Sequence, residues 1–422
     1  MNDLHDPIAD RTHRLAWMVS FLLVILASLS LRFGTNVAKY DQLFDEPYSL
    51  PAIHGITQQG WTVKTTIDFE ETKGPGFIWP YAAFGNLLGD SVNTLRWLTI
   101  ISFCLTCLPM FSLAKWAGIR GWQLLWVALL YILLPHLWII GQLVMSEPSF
   151  VLGSFMMMWL YVWSTGELNG RSHAVAGPVC FGFVLSALLH NRVHAVALAG
   201  AIMVIAFLRN PRTCWPWVLA AFLAGLSRIP LWMRWHGLVS PTNQDRIGVG
   251  LRLESLTYLG AGLVPFIGVF LWPALISKAT RASRVWVAAG VLVGLALGIV
   301  AQPESLDWKY EEAFNGLVSV FATKLSHTHA GQSVIVTFMA MLGIGAVGAL
   351  FSQSRLFEKS RQPVHVLTQM LVLSILFGWG MYALSYGYVF DRYIMPWCIL
   401  LPILWYRMIP RWLLIPQMLG MA

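Results

Sequence analysis

Long apolar runs with few charged residues are the feature that most constrains how this chain can fold. A helix of about 20 mostly apolar residues crosses a bilayer, and runs that reach or approach this length recur along the whole sequence. Of the 422 residues, 57% are hydrophobic and 11% are charged, whereas soluble domains carry about 25% charged residues. A water-soluble fold could not bury so much apolar surface. The sequence therefore predicts an all-α polytopic membrane protein.

The apolar runs predict a bundle of about 12 transmembrane helices, with both termini on the same side. Residues 1–422 are expected to form one transmembrane domain, with no soluble domain after the last run. The first run, Leu15 to Phe33, is as long as a full span and lacks a small-residue cleavage site, so we expect it to remain as the first helix. The runs begin near Leu15, Trp97, Trp122, Pro148, Ala174, His194, Trp215, Ser255, Val285, Ser333, Val364 and Ile394.

The distribution of basic residues predicts the orientation of these helices. One set of alternate loops holds 15 of the 28 Lys and Arg residues but only five of the 20 acids, and the other set holds 13 bases and 15 acids. Cytoplasmic loops of membrane proteins carry an excess of Lys and Arg. The first set, which includes both termini, is therefore predicted to be cytoplasmic.

The opposite, outer set contains the long connections. They span about Gly34–Arg96, Trp232–Glu254 and Gln302–Gln332. Within the first of them, Gly76–Gly89 is apolar but only 14 residues long, which suits an interfacial or re-entrant helix better than a span. Loops placed on a rigid scaffold carry function disproportionately. We therefore expect the functional site on the outer face.

Charge and cysteine content exclude two other classes of protein. The net charge of +8 comes from short basic clusters between apolar runs, which is typical of membrane orientation and not of nucleic-acid binding. The five cysteines include Cys104 and Cys107, spaced as in a redox motif. This pair lies inside an apolar run, where thiols behave as small hydrophobic groups. Neither nucleic-acid binding nor a disulfide framework is predicted.

The densest group of polar residues lies in the first outer loop. Residues 40–48 read Tyr-Asp-Gln-Leu-Phe-Asp-Glu-Pro-Tyr, and Asp68, Glu70, Glu71 and Lys73 follow. Composition alone is compatible with a solvated loop beside the membrane. Acids next to a bilayer are costly unless they are solvated or used, however, and the order of these residues is specific. An adjacent Asp-Glu is followed by a Tyr and then by a Lys-Gly-Pro step that opens a short apolar helix.

This order of residues resembles the first outer loop of the GT-C glycosyltransferases, in the branch of the lipid A aminoarabinose transferases and protein O-mannosyltransferases. The resemblance is detailed over residues 45–97 and looser up to Trp163. A late Phe390–Pro396 stretch also resembles the Arg-Tyr-x-x-Pro step of that family. The matching residues of the first loop are Asp45, Glu46, Tyr48, Lys73, Gly74, Pro75, Gly89 and Arg96.

The resemblance implies a sugar transferase that uses a polyprenyl-phosphate donor. The acceptor would be a lipid, a glycan or another component of the cell envelope, and the reaction would occur on the periplasmic or extracytoplasmic side of the plasma (inner) membrane. An acceptor hydroxyl that attacks an anomeric carbon must lose its proton, and a carboxylate can take it. Asp45 is the candidate base, with Glu46 beside it. Lys73 is the candidate group that stabilises the phosphate as it leaves, and the expected outcome is inversion.

A second acid, Glu147, lies in a very short outer loop. Ser146-Glu147-Pro148 reads as a helix start, with Ser146 as the N-cap, an acid in the first turn and a proline just inside. In the family that this chain resembles, an acid in the corresponding loop helps to hold the acceptor or a metal. Glu147 is therefore a third candidate catalytic residue, although the family usually has Asp there.

Basic and aromatic residues at two other outer boundaries are candidates for contact with the carrier phosphate. Arg192 lies between two short apolar runs, and its planar guanidinium suits a phosphate; a solvent-reaching interfacial residue is the alternative. Arg392 and Tyr393 open the last run, where an anchored interfacial pair is the alternative. The family resemblance favours Tyr48, Arg192, Arg392 and Tyr393 as ligands of the carrier.

A divalent metal ion is left open by the sequence. Asp45 and Glu147 could supply the hard oxygen ligands that such ions prefer. His327 and His329, downstream of Glu311 and Glu312, suggest a metal site less well, since residues two apart do not share a helix face and point to opposite sides of a strand. A solvated loop explains the two histidines better.

Three other functions compete with the transferase hypothesis. A multi-span transporter would place ionisable residues near the middle of the membrane, whereas nearly all charges here lie at the ends of runs or in loops. A lipid-carrier glycan polymerase or ligase of another fold would also work on the outer face. A scaffold subunit that keeps the fold without the activity is the third alternative.

Overall fold

The computed structural model describes most of the chain. The described residues are 7–40, 42–43, 45–69, 71, 73–134, 140–166, 173–237, 248–267, 280–303, 314–315, 317–356, 358, 362–386, 389–390, 394 and 398–408.

The described residues are predominantly helical. The helices are α1 Pro7–Gly34, α2 Glu46–Gln59, α3 Val63–Thr66, α4 Pro75–Leu88, α5 Val92–Leu105, α6 Cys107–Trp116, α7 Gln123–Ile132, α8 Ser146–Ser164, α9 Ala176–Asn191, α10 Ala195–Arg209, α11 Trp215–Leu226, α12 Ile229–Trp235, α13 Glu254–Ile267, α14 Arg281–Val300, α15 Leu317–Leu325, α16 His329–Ser354, α17 Pro363–Ala383 and α18 Leu401–Met408, with a 3-10 turn at Val37–Lys39.

Six helical stretches in the described part of the chain are long and apolar enough to cross a membrane. They are Arg11–Gly34, Val92–Trp116, Trp215–Trp235, Ser283–Val300, His329–Ser354 and Pro363–Ala383. Three shorter apolar helices, α7, α9 and α10, are too short by the same measure. Several long apolar helices fit a membrane protein, as predicted. The predicted count of about 12 spans exceeds these six and stays a prediction.

The chain divides into two compact units, Met1–Val193 with Pro216–Trp235, and His194–Trp215 with His236–Ala422. The predicted single domain over residues 1–422 stays a prediction. In the first unit, α4 packs against α2, α5 and α9, and α9 packs against α8. The helices of the first outer loop share an apolar core with α12. This core includes Leu50, Ile53, Phe69, Phe77, Ile78, Tyr81, Leu95, Leu231 and Trp235.

The short helix predicted within residues 76–89 is α4, 14 residues long. Pro75 stands in its first turn, where the missing N–H costs nothing. Gly89 ends it with φ 99°, a conformation that favours glycine. A Cβ at Gly74 would lie 2.0 Å from the carbonyl oxygen of His190, and one at Gly76 would lie 2.4 Å from that of Ala187. The two glycines therefore let the start of α4 approach the backbone of α9.

In the second unit, α14 packs against α16 through glycines spaced four residues apart. A Cβ at Gly290, Gly294 or Gly298 would come within 2.6, 2.7 or 2.3 Å of α16. Small residues at this spacing let membrane helices approach closely. The described strands of this unit are two-residue pairs. Gly248–Val249 is antiparallel to Ser385–Tyr386, and Phe314–Asn315 is parallel to Val389–Phe390.

Candidate active site

A buried lysine in the first outer loop lies among two acids and a serine. Lys73 Nζ is 3.4 Å from Asp45 Oδ2 and 3.7 Å from Glu71 Oε2. It donates a hydrogen bond to Ser49 Oγ at 3.0 Å, and Ser49 in turn donates to Glu71 Oε2 at 2.8 Å. The side chains of Lys73 and Glu71 are 6% and 3% exposed, whereas that of Asp45 is 25% exposed. We call these four residues the Lys73 cluster.

Local structure explains why Asp45 and Lys73 meet. Asp45 occupies the N-cap of α2, but its side chain makes no capping hydrogen bond and faces Lys73. Ser49, one turn into α2, lies on the same side as the lysine. Lys73 immediately precedes Gly74, the N-cap of α4. Because α2 and α4 pack against each other, their N-terminal ends bring Asp45 and Lys73 together.

Glu46, next to Asp45, has a different environment. Both of its oxygens accept hydrogen bonds from Arg96, at 2.9 Å from Nε and 2.6 Å from Nη2. The backbone N–H groups of Leu43 and Val144 also donate to it, each at 2.8 Å. Glu46 and Arg96 are fully buried, and Arg96 Nη1 donates to the carbonyl of Val37 at 2.7 Å. Glu46 therefore fastens the first outer loop to α5 and to the segment before α8.

Glu147 and Arg192 form a second buried ion pair in the same unit. Arg192 Nη2 donates to Glu147 Oε1 at 2.8 Å, and its Nε donates to Ser146 Oγ at 2.6 Å. Asn191 binds both neighbouring elements. Its Nδ2 donates to Ser149 Oγ at 3.1 Å, while its carbonyl accepts from the backbone N–H of Gly74 at 3.2 Å. Asn191 thus connects the Glu147–Arg192 pair to Gly74, the residue after Lys73.

The structure changes two details of the prediction at this pair. Ser146 was predicted to be the N-cap of α8, and this is wrong by one residue, since Met145 holds that position. The Ser146 hydroxyl accepts from Arg192 because the guanidinium reaches it from α9. Arg192 was predicted to bind the carrier phosphate, yet its described contacts are with Ser146 and Glu147. A contact with the phosphate stays a prediction.

Tyr81 of α4 is a buried tyrosine that contacts α5 and the residue before α8. Its hydroxyl forms a hydrogen bond with Thr99 Oγ1 at 2.7 Å and donates weakly to the carbonyl of Met145 at 3.4 Å. Burial, more than the nearby carboxylates of Glu147 and Glu46, raises the pKa of Tyr81 well above its usual value. The phenol is therefore a neutral group that links α4, α5 and the start of α8.

The remaining sequence-predicted residues lie apart from these contacts. Tyr48 is 69% exposed, so it is accessible to a ligand, but in the described structure it is not part of the Lys73 cluster. Arg392 and Tyr393 lie outside the described residues, as do Glu311 and Glu312. His327 and His329 are exposed. His327 lies in a loop, as predicted, whereas His329 is the first residue of α16.

Two members of the Lys73 cluster were not predicted as site residues. Glu71 was noted only as one acid among several, and Ser49 was not singled out at all. The available signal was weak: Glu71 lies two residues before the lysine, and Ser49 lies one helical turn after Asp45. Their importance depends on the packing of α2 against α4, which a single sequence does not give.

The described acids suit ion pairing better than they suit a divalent metal. Asp45 faces Lys73, Glu46 binds Arg96 and Glu147 binds Arg192. Among the described residues, no three His, Cys, Asp or Glu side chains are grouped as metal ligands would be. Each cation already neutralises the acid that a metal would need. The residues of the suggested metal site, Asp45 and Glu147, therefore do not fit a divalent ion.

Comparison with known proteins adds no relative. No protein-family model matches the chain, and no curated protein or solved structure matches it either.

Proposed function

We propose that this chain is a membrane-embedded glycosyltransferase that moves a sugar from a polyprenyl-phosphate donor to an acceptor, with inversion, on the extracytoplasmic face of the plasma (inner) membrane. The proposal includes a GT-C-like bundle of about 12 spans, by analogy with the family that the first outer loop resembles. Long apolar helices and the charge bias of the loops support the membrane setting. The acceptor is a lipid, a glycan or another envelope molecule.

The observation that carries the proposal is the contact between Asp45 and Lys73. A partly exposed carboxylate lies 3.4 Å from a buried ammonium, so a general base and a phosphate-binding cation occupy one site. A compact ammonium is a common ligand of phosphate. Lys73 also contacts two buried residues, Ser49 and Glu71. The cation therefore keeps its position when a phosphate replaces Asp45 beside it.

The proposed reaction is a single displacement. The acceptor oxygen forms a bond to the anomeric carbon while the bond from that carbon to the phosphate oxygen breaks. The acceptor proton passes to Asp45, and the polyprenyl phosphate leaves with both electrons of the broken bond, stabilised by Lys73. Attack opposite the leaving group gives inversion, by analogy with inverting sugar chemistry. Binding of the donor phosphate to Lys73 releases the Asp45 carboxylate for this proton transfer.

The other predicted residues have supporting roles in this proposal. Glu147 is proposed to orient the acceptor, Arg192, its ion-pair partner, is proposed to contact the carrier phosphate, and Glu46 maintains the loop in which Asp45 lies. Arg392, Tyr393 and Tyr48 are proposed to contact the carrier on the strength of the family resemblance alone.

The decisive test compares lipid extracts from a strain that lacks the gene with extracts from strains that carry wild-type or Asp45→Asn protein. Loss of the transferase should cause a polyprenyl-phosphate sugar to accumulate and one glycosylated envelope product to disappear. Wild-type protein should reverse both changes, and Asp45→Asn should reverse neither. Asp90→Asn, which alters an acid of the same loop that hydrogen-bonds Thr57, is the matched control. Full complementation by Asp45→Asn would reject the enzyme assignment in favour of a transporter or scaffold.

A further inference from the structure

Two side chains at the junction of α11 and α12 carry buried nitrogen donors that have no acceptor among the described residues. The Nε and Nη1 atoms of Arg228 and the Nε1 atom of Trp232 are buried, and none meets a hydrogen-bond partner in the described structure. The Arg228 guanidinium lies over the Trp232 ring, 5.9 Å from its centroid. The two residues are four apart, across the start of α12, and therefore share a face. These three donor nitrogens therefore have no acceptor among the described residues.

Arg234 of α12, six residues after Arg228, is an arginine of the same unit whose donors do have acceptors. Its Nε and Nη2 donate to the two carboxylate oxygens of Asp68 at 2.9 and 2.6 Å, and this hydrogen bonding lowers the pKa of Asp68. That pair is largely exposed, where such contacts stabilise little. Arg228 is 3% exposed, and no acid in the described part of the chain pairs with it in this way. Burial of a charge without a partner is costly, so a ligand that supplies the acceptor is the simplest explanation.

Burial also excludes a guanidinium that is solvated by water. Long basic residues near the ends of spans usually keep the charged group in water while the stem lies on apolar surface. A guanidinium of that kind would be exposed, whereas the Nε and Nη1 atoms of Arg228 are buried.

The position of Arg228 indicates where the missing oxyanion comes from. Helix α11 presents exposed apolar residues, among them Leu219, Phe222 and Leu223, as a lipid-facing helix does. Helix α12 packs its Leu231 and Trp235 into the core of the first outer loop. Arg228 lies between these two helices, in the second half of the apolar stretch Trp215–Trp235 and towards the end that joins the core of the first outer loop. The inference takes this end of the stretch to lie within reach of lipid head groups.

From this geometry we infer that Arg228 and Trp232 bind the phosphate of a membrane lipid. A guanidinium fork matches the oxygens of a phosphate, and the indole N–H adds one further donor. The Ser227 hydroxyl, next to Arg228, is hydrogen-bonded to Ser186 of α9 at 2.8 Å. Gly76, at the start of α4, approaches the neighbouring Ala187. The lipid phosphate therefore binds beside the helix junction that carries Lys73. The inference rests on the donors of Arg228 and Trp232 and does not require the proposed transferase activity.

The test measures lipid binding to the purified full chain in detergent, by titration in native mass spectrometry and by thermal unfolding. The probes are a polyprenyl phosphate, the matching polyprenol without phosphate, phosphatidylglycerol and inorganic phosphate. Arg228→Met should weaken binding of the preferred lipid phosphate by about tenfold or more, the effect of losing a charge-assisted contact. Trp232→Phe, which keeps the ring and removes the N–H, should weaken it less. Arg234→Met, in the same helix as Trp232, should leave lipid binding unchanged.

The ligand-free protein supplies a second readout of opposite sign. Because an unpaired buried charge destabilises the fold, Arg228→Met should unfold at the same or a higher temperature without lipid, and lipid phosphate should stabilise it less than it stabilises wild type. Preference for polyprenyl phosphate would identify the carrier as the ligand, and preference for phosphatidylglycerol would identify a bilayer lipid. Equal binding by Arg228→Met and wild type, equal effects of polyprenol and polyprenyl phosphate, or a lower unfolding temperature of ligand-free Arg228→Met would overturn the inference. If lipid binding depends on Arg228 but no sugar transfer is found, only the proposed transferase function fails.

Discussion

Asp45 and Lys73 carry opposite charges 3.4 Å apart, but only the acid is accessible, with its side chain 25% exposed against 6% for the lysine. An incoming molecule can therefore reach the carboxylate, while the ammonium also contacts the buried residues Ser49 and Glu71. This asymmetry assigns the two residues different tasks. Asp45 can exchange its partner, whereas Lys73 stays in place.

The first prediction concerns Asp45. Asn has the shape of Asp without its basicity, so Asp45→Asn should insert, fold and bind the polyprenyl-phosphate donor. Transfer should fall by roughly 10²–10⁴-fold, the usual contribution of a general base. The measurement is the initial rate of sugar transfer by protein reconstituted in vesicles. Asp90→Asn should retain wild-type rates, and an unimpaired, correctly inserted Asp45→Asn protein would remove Asp45 as the base.

The second prediction concerns binding of the carrier. Lys73→Ala, Arg192→Ala and Arg392→Ala should each raise the donor concentration required for half-maximal rate more than they change acceptor preference. Glu71→Gln should have a weaker effect of the same kind, because it loosens the lysine without removing it. Titration of donor at fixed acceptor measures this. If donor dependence is the same in all of the alanine variants, the proposed phosphate contacts do not exist.

The third prediction separates stability from catalysis at Glu46. Removing one member of a buried ion pair leaves the other charge uncompensated, so Arg96→Met should lower the free energy of unfolding by about 3–5 kcal/mol. Glu46→Gln should also destabilise the protein, and the double variant Glu46→Gln/Arg96→Met should be more stable than the sum of the single losses predicts. Denaturant unfolding in detergent is the assay. Asp68→Asn, in the exposed pair with Arg234, should change little.

The fourth prediction concerns the glycine before α4. A methyl group at residue 74 would lie 2.0 Å from the backbone oxygen of His190, and a backbone cannot move aside as a side chain can. Gly74→Ala should therefore displace the Lys73 step from α9 and reduce transfer as well as stability. Gly55→Ala, where the added methyl would meet only Thr65 at 3.9 Å, should be tolerated. Equal behaviour of the two variants in thermal unfolding would contradict the close approach.

The fifth prediction is the orientation in the membrane. Single cysteines introduced at the exposed residues Lys64 and Arg120, in a background with Cys180 replaced by Ser, should react with a membrane-impermeant reagent from opposite sides. Residue 64 should be labelled from outside and residue 120 only after the membrane is opened, as the bias of basic residues requires. Labelling of both residues from one side would contradict the predicted topology.

The bounds of α4 were the most predictable part of this fold. Pro75 in its first turn marks the beginning of α4, and Gly89 marks the end. These signals are local, since they depend on backbone conformations that a residue permits or forbids. The first helix begins at Pro7 and not near Leu15, because a helix can continue beyond its apolar run into polar residues.

Partners of the charged residues were much less predictable. Asp45, Glu46 and Lys73 were expected in one site, but the sequence did not show that Glu46 would bind Arg96, 50 residues away, or that Glu147 would bind Arg192, 45 residues away. Such pairs depend on how helices pack, which a single sequence leaves open. The same reason explains why Ser49 and Glu71 were missed, and why an arginine expected to contact phosphate is held by an acid.

The hydrogen bond from the backbone of Val144 to Glu46 has a consequence for the order of synthesis. The two residues are 98 positions apart, so the ribosome completes α2, α4 and α5 before the last donor of the Glu46 carboxylate exists. Arg96 can neutralise the acid earlier, but the enclosure of the pair closes only when the segment before α8 arrives. A nascent chain that stops before residue 144 therefore carries a half-finished anchor, and a chain that has passed this point can lock its first outer loop in place.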